Sequence, residues 1–304
     1  MRTRIAIDDH LIRQDTWTSR ARIRLITFGS LCAVSILFWW HPLATTFGLA
    51  LGDEAYTHIL LILPLSASLV YLHRDALRTV SRGNIVSGLA ALAGAAVLAW
   101  FAWRSQTEML WSGLLSLRML ALVTWWIGSV IFCFGLGVVR SLLFPLCFLF
   151  LLVPLPGFIL NKIVYFLQNQ SAFAARSLFL AIGVPVTQHG IILSIPNLSI
   201  EVARECSSIR SSMMLVVITL ILAHLFLRSW WRKVLLIATV IPLSIAKNGL
   251  RIFTIAELGT RVDPGFLTGR LHRQGGIVFL GFSVVVMSAV LWMLRRTELR
   301  APLA

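Results

Sequence analysis

Eight stretches of the chain are apolar for long enough to cross a bilayer, and no other feature constrains the fold as strongly. A span needs roughly 17 to 25 mainly apolar residues, and fewer where a neighbouring helix shields its end. The stretches run from about Leu25 to Trp40, His58 to Leu72, Ile85 to Trp103, Met119 to Val139, Leu142 to Leu160, Cys206 to Leu227, Val234 to Ile255 and Gly276 to Leu294. Pro145, Pro154 and Pro156 interrupt the fifth and predict a broken outer end, because proline removes a helical donor and clashes with the preceding turn. A chain that is 58% hydrophobic and 13% charged, with mean hydropathy +0.86, cannot be an ordinary soluble domain. The expectation is an all-α polytopic membrane protein. The basic N-terminus ahead of an apolar stretch resembles a signal peptide, but no small-residue cleavage site follows Trp39, Trp40 and His41, so a retained first span is expected.

The net charge of +15 raises the question of nucleic acid. The cations, however, sit in short clusters between apolar runs instead of forming a continuous stripe, which is the pattern of membrane topology. Nucleic-acid binding is therefore set aside. Arg2, Arg4, Arg13, Arg20, Arg22 and Arg24 precede the first span; Arg74, Arg78 and Arg82 follow the second and Arg140 the fourth. Arg228, Arg232 and Lys233 lie between the sixth and seventh, and Arg295, Arg296 and Arg300 follow the eighth. Cytoplasmic loops are enriched in Lys and Arg, so both termini are expected inside, and the opposite face holds residues 41–57, 104–118, 161–205 and 256–275. Without internal repeats or flexible linkers, the simplest organisation is a single membrane domain over residues 25–294, flanked by basic segments 1–24 and 295–304.

The longest outer segment has its own pattern. Ile163, Phe166, Leu167, Phe173, Leu178 and Leu180 recur at helical spacing among polar residues from Lys162 to Leu180, which predicts an amphipathic helix along the membrane surface. Beyond Gly183, the residues Val184, Val186, Ile191, Ile192, Leu193 and Ile195, punctuated by Gly190 and Pro196, predict a short β-hairpin that feeds towards Cys206.

Polar residues concentrate next. The segment from Glu201 to Ser211, containing Arg204, Glu205, Cys206, Ser207, Ser208 and Arg210, is the densest polar patch beside a long apolar run. Of four cysteines, Cys32, Cys133 and Cys147 lie inside apolar runs, where cysteine acts as a small hydrophobe; only Cys206 has polar company. A cysteine at a helix N-terminus experiences unpaired amides and the positive end of the dipole, which favour a thiolate nucleophile. Arg210, four residues on, falls on the same face. An inert interfacial cysteine is the bland alternative. Asn248 and Arg251 share a face of the seventh span, where an arginine is costly; it suits an oxyanion or a carboxylate, although a snorkelling arginine would serve as an anchor. His272, followed by Gly275 and Gly276, precedes the eighth span and could transfer protons to or from a cysteine, with His41, His58, His189 and His224 as competitors. Together these residues bring a nucleophile, a cation and a proton carrier to three helix ends at one membrane face, a constellation for acyl transfer. No His, Cys or carboxylate cluster has metal-ligand spacing, and neither a metal nor a cofactor is expected.

The same residues resemble the exosortase/archaeosortase family of polytopic membrane transpeptidases. The resemblance is carried by Tyr56-Thr57-His58, Phe144-Pro145-Leu146, Val153-Pro154-Leu155-Pro156 and Gly183-Val184-Pro185-Val186. Most strongly it is carried by Val202 to Ser211 around Cys206, by Asn248-Gly-Leu-Arg251, and by His272 with Gly276. One departure is Ser208, where the family usually has glycine. The resemblance implies Cys206 as nucleophile, Arg251 as oxyanion stabiliser and His272 as proton carrier, with Asn248, Glu201, Ser207, Arg210 and His58 in support. It also implies a location in the cytoplasmic membrane with the active site on the outer face. The implied partners are the lipid bilayer and exported proteins bearing a C-terminal tail: a short signal such as Pro-Glu-Pro, a hydrophobic helix and a basic end. Two rivals stand beside it. A transport or scaffold protein for polysaccharide export would leave Cys206 dispensable, and an intramembrane serine hydrolase would use Ser207 or Ser211, without the Gly-x-Ser-x-Gly elbow.

Overall fold

The computed structural model describes residues 22–75, 84–105, 111–196, 198–202, 209–268 and 270–300. They group into two compact units, one formed by the chain up to Gly52 together with Ile59–Gly157, the other by Asp53–His58 together with the chain from Phe158 onward. Among the described residues, six helices are long and apolar enough to cross a membrane, and up to eight spans result when two bent helix pairs each count as one. The expected all-α polytopic architecture is present.

In the first unit, α1 (Arg22–Phe38) turns by 72° into α2 (Trp40–Gly52). Residues 41–57, expected on the outer face between spans, are helical as far as Gly52, with Pro42 in the first turn of α2, where a missing amide is tolerated. Trp39 at the bend is buried among Phe38, Trp103 and Trp125, and its indole N–H donates to the Arg118 carbonyl at 2.9 Å. After α3 (Ile59–Leu72), α4 (Ile85–Arg104) and α5 (Trp111–Phe134) pack closely because Gly88 faces the Phe132 backbone and Gly128 faces Ala91 and Leu92. Asn84 caps α4 by accepting from the Ser87 amide. The fourth span thus begins eight residues before Met119 and stops before Val139, since Gly135, at φ +83°, ends the helix in a conformation other residues avoid.

The fifth predicted span is divided as well. A short α6 (Leu136–Ser141) precedes it; the span itself gives α7 (Leu143–Phe148) and a 3₁₀ turn over Leu149–Leu152, breaks at Pro154 and Pro156, where the Ser116 hydroxyl donates to the Pro154 carbonyl at 2.6 Å, and leaves Gly157–Leu160 to the next helix.

The second unit opens, in chain order, with a 3₁₀ turn over Glu54–Tyr56, capped by Asp53. Its long amphipathic helix, α8 (Gly157–Ala181), begins five residues before the expected Lys162. Three strands follow, one more than a hairpin: β1 (Thr187–His189), β2 (Ile192–Ile195) and β3 (Leu198–Glu201) form an antiparallel sheet in that order, with Ile192 opposite Glu201. Val186, Leu193, Ile195 and Val202 pack against Phe179 and Ala175 of α8 and Ile252 and Ala256 of the seventh span. The chain then forms α9 (Ile209–Phe226), α10 (Trp230–Ala238), α11 (Val240–Arg261), α12 (Gly265–Thr268) and α13 (Arg270–Arg300). Leu215, Ala223, Leu236, Val240, Met287 and Leu291 join α9, α10, α11 and α13 in one apolar cluster.

Candidate active site

Helix α11 carries the site. Its face at Val240, Ser244, Lys247, Arg251 and Ile255 recurs every three or four residues, the helical spacing for one side, and all five are buried. Lys247, Asn248 and Arg251 are 2%, 1% and 6% exposed in a helix long and apolar enough to span a membrane. Polar groups at that depth are expensive and face protein or water instead of lipid.

Two helices pack on α11, one of them through residues on the side of α11 away from this face. On one side, Gly249 meets Ala174 and Ala175 of α8 so closely that an added Cβ would lie 2.6 Å from the Ala174 methyl. Further along, Phe179 meets Phe253 edge-on at 5.0 Å. From Ala174 at Gly249 to Phe179 at Phe253, α8 advances in the same direction as α11. The expected amphipathic helix is therefore packed lengthwise on a spanning helix, with its buried stripe of Val164, Leu167, Ser171, Ala175 and Phe179 turned inward. On the other side, the Lys247 ammonium donates to the Ser211 hydroxyl in the first turn of α9. Ser212 and Val216 of α9 and Val240 and Ser244 of α11 line one hollow of about 400 Å³.

The approach to α9 is also anchored. Gln168, buried on α8, donates from Nε2 to the Val202 carbonyl at 2.6 Å, and the Val202 amide donates to Ile191 at 2.9 Å. Val202 stands four residues ahead of Cys206. Beside the start of α9, Arg210 reaches Glu54 at 3.8 Å; both side chains are more than half exposed, which makes this a weak pair. That contact brings the Tyr56-Thr57-His58 motif to the head of α9, with Tyr56 and His58 buried.

Of the residues singled out in the sequence, Cys206 and Ser207 lie outside the described residues. Arg251 and Asn248 are buried on α11. Glu201 ends β3 and is exposed. His272 was expected just ahead of the eighth span; the helix starts earlier, at Arg270, so the His272 backbone lies in its first turn. Three residues carry more than the sequence reading gave them. Lys247 and Gln168 are not among the site residues the sequence singles out, and Ser211 stands there as a rival nucleophile. The available signal was a lysine one turn before Arg251 on an otherwise apolar helix.

The fold and this buried polar face define a polytopic membrane protein built around a charged seam between packed helices. Comparison with known proteins gives the class a family. The model described as transmembrane exosortase (Exosortase_EpsH) matches residues 39–289. The chain belongs to the transmembrane exosortases, a family of membrane transpeptidases. No curated protein and no solved structure gives a significant match.

Proposed function

We propose that the protein is a cysteine-dependent transpeptidase or protease that cleaves the C-terminal sorting tail of exported proteins at the outer face of the cytoplasmic membrane. The observation that carries this reading is the burial of Arg251 beside Asn248 on α11, in a helix pinned to the first turn of α9 by Lys247 and Ser211. Cys206 precedes Ile209, the first described residue of α9, by three residues, so the covalent chain keeps its Cα within about 11 Å of that helix start.

In the proposed reaction, His272 takes the Cys206 thiol proton and Sγ attacks the carbonyl carbon of the scissile peptide, forming a C–S bond and a tetrahedral oxyanion. Arg251 stabilises that oxyanion with donors that require no reorganisation. Collapse breaks the C–N bond, His272 delivers a proton to the leaving amine, and the hydrophobic tail departs. An acceptor amine or water then attacks the thioester and restores the thiol. The apolar hollow between α8, α9 and α11 adjoins Ser212 and Ser244, on the inward side of the polar face, and suits a substrate whose next segment is a hydrophobic helix.

The test is trapping of the intermediate. A purified reporter carrying a Pro-Glu-Pro tail is mixed with the enzyme in nanodiscs and quenched. The expected result is a mass adduct on the Cys206 peptide, released by neutral hydroxylamine. Processing without any such adduct, and undiminished in Cys206→Ala, would overturn the reading. One observation favours a second reading: Ser211 with Lys247 is a serine and amine pair, a known variant of the nucleophile and base arrangement. It predicts processing that survives Cys206→Ala and vanishes in Ser211→Ala.

A further inference from the structure

We infer that Lys247 is a positioning residue: through Ser211 it sets the axial register of α9 against α11, and so the placement of the nucleophile relative to Arg251. This rests on the cysteine reading above.

Lys247 does not behave as an anchoring lysine. A snorkelling lysine sends its ammonium to the interface and remains accessible, whereas Lys247 is 2% exposed. Its hydrogen-bond partner is a hydroxyl on another helix, and no carboxylate pairs with it among the described residues. Many hydroxyls in the spanning helices donate within their own helix: Thr124 to Leu120, Ser129 to Trp125, Thr219 to Leu215 and Thr254 to Leu250. Ser211 meets a cation of the adjacent helix. An apolar pair could join two helices without the desolvation cost of an amine, so a buried amine here points to a need for defined geometry.

The register follows from helix geometry. Helices α9 and α11 run antiparallel: Ser211 near the start of α9 meets Lys247, and Ala223 near its end shares an apolar cluster with Val240 at the start of α11. From Lys247 to Arg251 is four residues, about 6 Å along the axis. In the antiparallel partner, the same step from Ser211 leads past Ile209, towards the side from which the chain enters α9. On the opposite side of α11, Gly249 lets the α8 backbone pack closely. A shift of one residue between the helices would displace the reacting groups by about 1.5 Å, and misplacements of that order cost catalysis about a hundredfold.

The test uses the full chain in nanodiscs, with kcat and KM for the tail reporter normalised to monodisperse protein. Lys247→Met keeps length and removes the donor; it is expected to lower kcat tenfold or more, to roughly a hundredfold, with KM changed less than about threefold. Ser211→Ala is expected to lower kcat in the same direction, Ser211→Thr to restore it by keeping the hydroxyl, and the double variant Lys247→Met with Ser211→Ala to be no worse than Lys247→Met alone. A purely structural role would reduce the yield of monodisperse protein and leave kcat intact, which would overturn the inference, as would additive losses in the double variant. If Lys247→Met fails to fold, the Ser211 pair decides: Ala equal to wild type overturns the inference, and loss restored by Thr supports it. Activity retained in Cys206→Ala but abolished in both Ser211 variants would identify Ser211 as the nucleophile, overturning this inference together with the cysteine reading. A Lys247→Met variant with wild-type kcat beside an inactive Cys206→Ala would overturn this inference alone.

Discussion

In the first unit, polar side chains between helices reach mainly backbone, with Trp126 donating to the Ser35 hydroxyl as a neutral side-chain pair. Trp39 donates to the Arg118 carbonyl, Trp125 to Leu31, and Arg118 itself to Ala102 while lying over the Trp103 ring. In the second unit, α11 buries two cations and an amide on neighbouring turns, and Lys247 engages a side chain of another helix. Both units use glycine for close helix packing, Gly88 at Phe132 in one and Gly249 at Ala174 in the other. The difference therefore lies in what the polar groups are for. Polarity that satisfies backbone stabilises a fold, whereas clustered charge inside a span carries a cost that function must justify.

The largest expected contrast is between two arginines. Arg251→Ala should lower reporter processing about a hundredfold or more, while Arg118→Ala should leave processing within about threefold and instead lower the melting temperature. Equal losses of processing in both would erase the distinction. Next come the glycines. Gly249→Ala pushes a methyl into Ala174 and should destabilise by about 1–3 kcal/mol. Gly94→Ala, in open space on α4, should be neutral or stabilise by up to about 1 kcal/mol. Thermal unfolding in detergent measures both, and a tolerated Gly249→Ala would mean that α8 and α11 are not closely packed.

Smaller effects are expected away from the seam. Glu298, near the end of α13, accepts from the Arg228 and Ser229 amides and pairs with Arg232 at 3.3 Å, which fastens α13 to the turn between α9 and α10. Glu298→Gln keeps the shape and should cost about 1–2 kcal/mol in the same unfolding assay. Arg210→Ala breaks only the exposed contact with Glu54, and its effect should stay below about 0.5 kcal/mol and shrink further in high salt.

The sequence makes the helical architecture legible because apolar runs are long, and it makes Arg251 conspicuous because charge is rare within them. Boundaries were less legible. Arg118 ends the hydropathy signal early, yet α5 continues through it because the guanidinium finds the Ala102 carbonyl and the Trp103 ring. The third strand was hidden in the brief alternation Leu198-Ser-Ile-Glu201, which becomes a strand only because β2 offers its edge. Lys247 was visible as a polar residue, but its role depends on Ser211, 36 residues earlier. No periodicity within one helix encodes the register of two.

The most direct test of the central claim is conversion of a tail-bearing reporter by matched amounts of wild-type protein and Cys206→Ala, followed as a mobility shift. The account predicts cleavage by wild type and none by the variant. Cleavage at equal rates by both would contradict it.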